Sequence, residues 1–341
     1  MAYTTINKST DYFNTKLWTG NGSTQNITGV NHTPDFVWIK KRTDADGARI
    51  FDTVRGATKG IFTNSTAAET TVTSELSAFG SDGYTLGASD AVNGNSKNYV
   101  GWNWKANGQG SSNTDGSINT TYTSVNTTAG FSICKWTGTG SAGTIGHGLG
   151  AVPKMIIIKD LSNTRDWFVY HASVGNNKRL KLNDTVAEGA STVFNSTTPT
   201  SSVFSIDGSV YVNNSGSNYI AYCFAEKAGY SKFGSYTGNG NADGPFIYTG
   251  FKPSFLMVKR TDTADTWIMY DNKRIGYNPN NYFLQANSNA AESSSDRFDL
   301  LSNGFKPRYD WTPINASGGT YIYMAFGQSI VGSNNIPATA R

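Results

Sequence analysis

The strongest constraint on this chain is that it repeats itself. WTGNGS at Trp18 returns as WTGTGS at Trp136 and as YTGNGN at Tyr236. After each copy a proline opens an apolar run that closes on a lysine: PDFVWIK from Pro34 to Lys40, PKMIIIK from Pro153 to Lys159 and PSFLMVK from Pro253 to Lys259. Alanine-rich stretches then end at Glu69, Glu188 and Glu292, and closing segments begin at Tyr99, Tyr219 and Tyr321. From the first copy to the second, the proline, the lysine and the glutamate each shift by 119 residues; from the second to the third, the shifts are 100, 100 and 104. Independent landmarks in one register mean internal triplication. The period is too long for a solenoid, and each unit has enough chain to own a core.

The expected organisation is therefore an N-terminal arm (1–10), a first repeat (11–107), a linker (108–130), a second repeat (131–229), a third repeat (230–328) and a C-terminal tail (329–341). The linker is placed where NGQGSSNTDGSINTTYTSVNTTAG has few apolar residues. Within a unit, the run behind the proline is short and β-branched (Ile156, Ile157 and Ile158 in the second copy), which favours a buried strand over a helix. The closing segment alternates. Val100, Trp102 and Trp104, with their counterparts Ile220, Tyr222, Phe224 and Ile322, Met324, Phe326, form an apolar face assigned to the core of the unit. Small residues opposite, such as Gly101 and Ala221, indicate close approach by another layer. Turn signals recur throughout and no long window has helical periodicity. The predicted class is all-β, with three tandem homologous β-sandwich domains of jelly-roll or lectin-like type.

Only 15% of residues are charged, against about 25% in an ordinary domain, while 13% are aromatic. Aromatic richness argues for folding despite the polar composition. The net charge of +4 is dispersed, so no basic arm for nucleic acid is expected. No apolar run approaches the ~20 residues that cross a bilayer, so no membrane insertion is expected, and MAYTTINKST has no apolar core of a secretion signal. Cys134 and Cys223 are too few for a disulfide framework.

No catalytic constellation stands out, and the chain is expected not to be an enzyme. His32, His147 and His171 fit no metal pattern, and His171 stands where the other copies have Asp52 and Asp271. No cofactor or metal is expected. The candidate ligand-binding residues are the repeated rings Trp18, Trp136 and Tyr236, as sugar-stacking platforms or as plugs locking a glycine turn onto the core. Loop acids Asp44, Asp46, Asp262 and Asp265 complete the set, as oxygen donors or as ordinary turn residues. The repeated lysines are expected at solvated strand ends or paired with the repeated glutamates.

The series TTINKSTDYFNTKLWTGNGSTQNITGV, PDFVWIKKR, IFDTVRG, SDGYTLG and YVGWNWK resembles a tandem domain in virion structural proteins of marine tailed phages, above all those of cyanobacteria. The likeness is strongest over 11–107 and more diverged over 131–229 and 231–328. It implies a place in the virion, reached from the host cytoplasm by lysis, and other virion proteins as partners. It carries over no catalytic or binding motif. Three roles are weighed. One is a tail or head fibre or adhesion protein binding host-surface polysaccharide without catalysis. The second is a capsid decoration or fibre-stem protein, and the third a glycan depolymerase. A homotrimer is expected by analogy with phage fibres.

Overall fold

The computed structural model describes residues 4–276, 278 and 280–329. Most of the expected C-terminal tail and the first three residues of the arm lie outside the described residues. Regular structure is almost entirely strand. The exceptions are a short 3-10 turn, Ser9–Asp11, and two one-turn helices, Asp90–Asn93 and Thr312–Asn315.

The triplication is visible in the sheets. Each unit has an opening strand (Phe13–Thr19, Phe131–Thr137, Ser231–Thr237) and a closing strand (Asn98–Trp104, Asn218–Ala225, Thr320–Ser329). Each also has a middle strand that contains the lysine (Phe36–Lys41, Pro153–Asp160, Phe251–Arg260). Next come a fourth strand (Arg49–Asp52, Phe168–His171, Trp267–Asp271) and a fifth (Lys59–Phe62, Lys178–Lys181, Asn280–Gln285). All three sheets run opening, closing, middle, fourth, fifth, and the strands in them pair antiparallel. A smaller ladder accompanies the first two sheets: Gln25–Thr28, Gly83–Leu86 and Leu76–Gly80 in the first unit, and Gly143–Gly146 with Val203–Ile206 in the second; in the third, Ile247–Tyr248 and Gly304–Pro307 continue the main sheet through Ser293–Leu301.

The units are not beads on a string. The apolar face of the closing strands does not fill the core of its own unit. Val100, Trp102, Trp104, Ile220, Tyr222, Phe224, Ile322, Met324 and Phe326 all belong to one central core shared by the three units. The rings at the ends of the three closing strands meet there: Trp104 and Phe326 have centroids 5.5 Å apart, Phe224 and Phe326 6.0 Å, and Trp104 and Phe224 6.4 Å. The opposite face, carrying Tyr99, Tyr219 and Tyr321, packs into three peripheral cores, one per unit. The sequence pattern identified an apolar face but not which neighbour it meets, because alternation records burial and not the partner. The small residues opposite behave as expected: a Cβ on Gly101 would lie 2.4 Å from the Tyr84 hydroxyl.

The expected linker is also built into the fold. Tyr122–Asn126 adds a strand to the free edge of the second unit's opening strand, and Ile118 packs in that unit's core. Of the arm, Ile6 is buried in the central core and Gln328 accepts from the Ser9 N–H at 2.8 Å, so both ends of the described chain close over the shared core.

Contacts between units run in a cycle. The Lys40 ammonium donates to Ser288 O (2.7 Å) in the third unit, Lys159 to Thr66 O (3.1 Å) in the first, and Lys259 to Thr185 O (3.2 Å) in the second. In the same order, the backbone N–H groups of Glu292, Glu69 and Glu188 donate to Arg42 O, Leu161 O and Thr261 O. The lysines are thus buried cross-braces, not solvated strand ends. Burial lowers each to about 8, opposed chiefly by Asp46, Asp160 and Asp265 respectively. The repeated glutamates pair elsewhere, with Arg55, Lys178 and Arg274.

Candidate functional site

The repeated WTGNG stretch is a clamp. Trp18 stacks on Tyr99 (5.6 Å, 15°), Trp136 on Tyr219 (5.4 Å, 17°) and Tyr236 on Tyr321 (4.9 Å, 14°). Each stacked tyrosine donates its hydroxyl to a carbonyl nine residues upstream, at Asp90, Val210 or Thr312. A fully buried asparagine then holds the glycine turn. The side chains of Asn93, Asn213 and Asn315 accept from the N–H of Asn21, Thr139 and Asn239 and donate to the carbonyls of Ser23, Ser141 and Asn241. The first glycine must be glycine because a Cβ would meet backbone 2.2–2.4 Å away, and the second because its φ is +63 to +76°. Trp136 is wholly buried, Trp18 9% exposed, and the half-buried Tyr236 donates its hydroxyl to Ile314 O at 2.7 Å. As sugar platforms Trp18 and Trp136 are corrected, because both are buried; Tyr236 gives one face to Tyr321 and lines a surface hollow of about 370 Å³ with Ser173, Glu188 and Thr261.

The loop acids are occupied by turns and ion pairs. Asp46 accepts from Gly47 N–H and Arg49, Asp44 pairs with Lys97, Asp262 takes Arg260 and the Thr320 N–H, and Asp265 takes the Thr266 N–H. Burial pushes the Asp265 carboxyl up. No cluster of three metal-ligating side chains occurs among the described residues. Cys134 and Cys223 are buried free thiols.

His171 belongs to a corner between units. In the first unit, Asp52 holds Arg55 (2.5 Å) and accepts from the Tyr222 hydroxyl of the second (2.7 Å). In the third, Asp271 holds Arg274 (2.7 Å) and accepts from the Trp102 indole of the first (3.0 Å). In the second, the corner is His171, Val174 and Met324. His171 takes the Ser173 N–H on Nδ1 and faces Tyr323 O through Nε2, and burial lowers it to about 4. All three corners are buried and serve the packing between units.

On its outer surface the middle unit carries a cleft of about 310 Å³. Its floor is the fourth strand with Phe168 and the fifth with Arg179 and Lys181; its walls are 190–193 and 207–211. Tyr211, 46% exposed, forms one face, with its ring 5.6 Å from that of Phe168. Arg179 lies 5.9 Å from the Phe168 ring and Arg165 5.7 Å from Tyr211. Two acids also line the space. Asp166 pairs with Lys181 (2.7 Å) and takes Asn183 (2.8 Å). Burial would raise its carboxyl, but those hydrogen bonds and the Lys181 and Arg179 charges outweigh it and hold it below the usual range. Asp207 accepts from Thr192 (2.8 Å) and from the Ser209 N–H (3.1 Å). The Ser209 hydroxyl is buried without a partner. An exposed ring beside fixed donors and acceptors is suited to hold a small polyhydroxylated ligand.

The neighbours fill the same position. In the first unit, Arg49, Gly60 and Phe62 replace Phe168, Arg179 and Lys181; Arg49 lies over Phe62 (5.2 Å) and pairs with the buried Glu75 (2.9 Å). In the third, Ile268, Phe283 and Gln285 stand there, with Trp311 5.0 Å from Phe283 and Arg297 4.4 Å over Trp311. These cleft residues are not among the candidates read from the sequence. The available signal was the difference between copies, KRLK against KGIF and YFLQ.

The fold is an all-β scaffold of three units around one core, and the middle-unit cleft is one of several open hollows on its surface. The chain belongs to the family described as "Domain of unknown function (DUF7483)", whose profile matches residues 8–329 and so spans all three units. No curated protein matches it.

Proposed function

We propose that this chain is a non-catalytic binding protein of a phage particle, a fibre or adhesion component whose three sandwich-like units carry a host-surface glycan in the cleft of the middle unit. The observation that carries the reading is the exposed Tyr211 ring set over Phe168 and bordered by Arg179, Lys181, Asp166 and Thr192. Sugar rings stack on such faces, and their hydroxyls need the mixed donors and acceptors found there. The virion location rests on the sequence resemblance, and other virion proteins and a homotrimer remain part of the proposal on that ground. A non-catalytic role is favoured because glycoside hydrolysis needs one carboxyl kept protonated by a raised pKa, whereas Asp166 is held ionised by Lys181. A glycan array probed with the full chain tests the reading. Binding that is lost in Tyr211→Ala supports it, and an array with no signal above background rejects it.

A decoration or stem role has its own support. Phe246, Tyr248 and Tyr309 of the third unit are each about half exposed, which suits a protein partner. Immunogold labelling of the particle separates the two: label on tail tips or projecting fibres favours adhesion, and even label over the head favours decoration.

A further inference from the structure

We infer that the ligand of the middle-unit cleft is an acidic saccharide, bearing a carboxylate or a sulfate ester that is received by Arg179; this rests on the glycan-binding reading above. Arg179 and Lys181 are alternate residues of the strand Lys178–Lys181 and therefore share one face. Their electrostatic situations differ. The Lys181 ammonium is occupied by Asp166 at 2.7 Å. Arg179 has no carboxylate within ion-pair distance among the described residues; its guanidinium lies against the Phe168 ring and lines the opening. A guanidinium presents a planar fork that matches a carboxylate or sulfate through two parallel hydrogen bonds. The Arg179 guanidinium, 5.9 Å from the Phe168 ring centroid, lines the same cleft as Tyr211.

Two further groups agree with an anion at this end. The Arg165 guanidinium, 5.7 Å from the Tyr211 ring, adds a positive charge beside the cleft. Ser209 lines the opposite wall, and its hydroxyl is buried there without a partner. Of the two cleft acids, Asp166 is paired with Lys181 and also takes Asn183, while Asp207 is turned to Thr192 and the Ser209 backbone and makes no ion pair with Arg179. The neighbouring units sharpen the point. The position of Arg179 is Gly60 in the first and Phe283 in the third, so neither offers a cation there.

The test is isothermal titration of the full chain with three oligosaccharides of equal length. One contains glucuronate, one is its carboxyl-reduced neutral form, and one is a sulfated counterpart. The expected result is that at least one acidic form binds about tenfold or more tightly than the neutral form, a difference of about 1.4 kcal/mol, and that the ratio shrinks as salt is raised. Which acidic form leads identifies the anion as carboxylate or sulfate. In Arg179→Gln the ratio of acidic to neutral affinity collapses towards one. Equal binding of all three by the unaltered chain, or a ratio unchanged in Arg179→Gln, overturns the inference and leaves the glycan reading standing. Failure of all three to bind rejects the inference, and when the glycan array is blank as well it rejects that reading too.

Discussion

The middle unit and its two neighbours share a strand order, a stacked-ring clamp and a buried lysine brace, yet the middle unit departs from them in two places. At the corner between units, its neighbours bury an aspartate–arginine pair capped by a ring donor from the next closing strand, whereas it buries His171 with Val174 and Met324. On its outer surface, its neighbours close over Arg49–Glu75 or Phe283–Trp311, whereas it leaves the Tyr211 cleft open. The first departure teaches that the corner does not require one particular chemistry: where Met324 replaces a ring that can donate, the buried charged pair is absent with it. The second places the open site where the repeat is broken, as expected when function is added to a scaffold whose other copies keep the local rules.

The largest expected effect comes from breaking one polar corner. Arg55→Met strands the Asp52 carboxylate and should cost about 3–5 kcal/mol in urea unfolding. Copying the middle unit's solution, with Asp52→His, Arg55→Val and Tyr222→Met together, should cost clearly less than the single change; a triple variant that is worse shows that the corners are not interchangeable. Next, removal of the clamp asparagine should act alike in all three units. Asn93→Ala, Asn213→Ala and Asn315→Ala each leave buried backbone groups unpaired, for about 1–3 kcal/mol apiece, and unequal losses would show that the clamp is not a shared element.

A smaller effect distinguishes the middle corner by pH. His171 has a folded pKa of about 4, below its ordinary 6.5. Between those values the unfolded chain binds the proton and the folded chain does not, so stability is full above about 6.5 and falls as pH drops towards 4. His171→Met should flatten that part of the stability profile, and an unchanged profile contradicts a neutral buried imidazole. The smallest stability effect belongs to the exposed Tyr211. Tyr211→Ala should shift unfolding by less than about 0.5 kcal/mol while removing glycan binding; a large loss of stability would make Tyr211 part of the frame.

The repeated frame was legible in the sequence because period, alternation and turn glycines are local signals. Pro153, the isoleucine run and Lys159 announced a buried strand, and the strand is there. The shared core was not legible, since Trp102 reads the same whether its ring fills its own unit or meets Asp271 of another. The linker misled because Asn, Ser and Thr also make edge strands when a neighbouring strand supplies the hydrogen bonds, as Phe131–Thr137 does for Tyr122–Asn126. The repeated rings drew attention for being repeated, and repetition marked the frame. The cleft was missed because its residues are those in which one copy differs from the other two.

The most direct test of the account is an NMR titration of the isotopically labelled full chain with a glycan that the array identifies. The account predicts that perturbed signals gather at Asp166, Phe168, Arg179, Lys181, Thr192 and Tyr211 of the middle unit, with the equivalent positions Arg49, Phe62, Ile268 and Phe283 unmoved. Perturbations centred on the first or third unit, or spread evenly over all three, would contradict it.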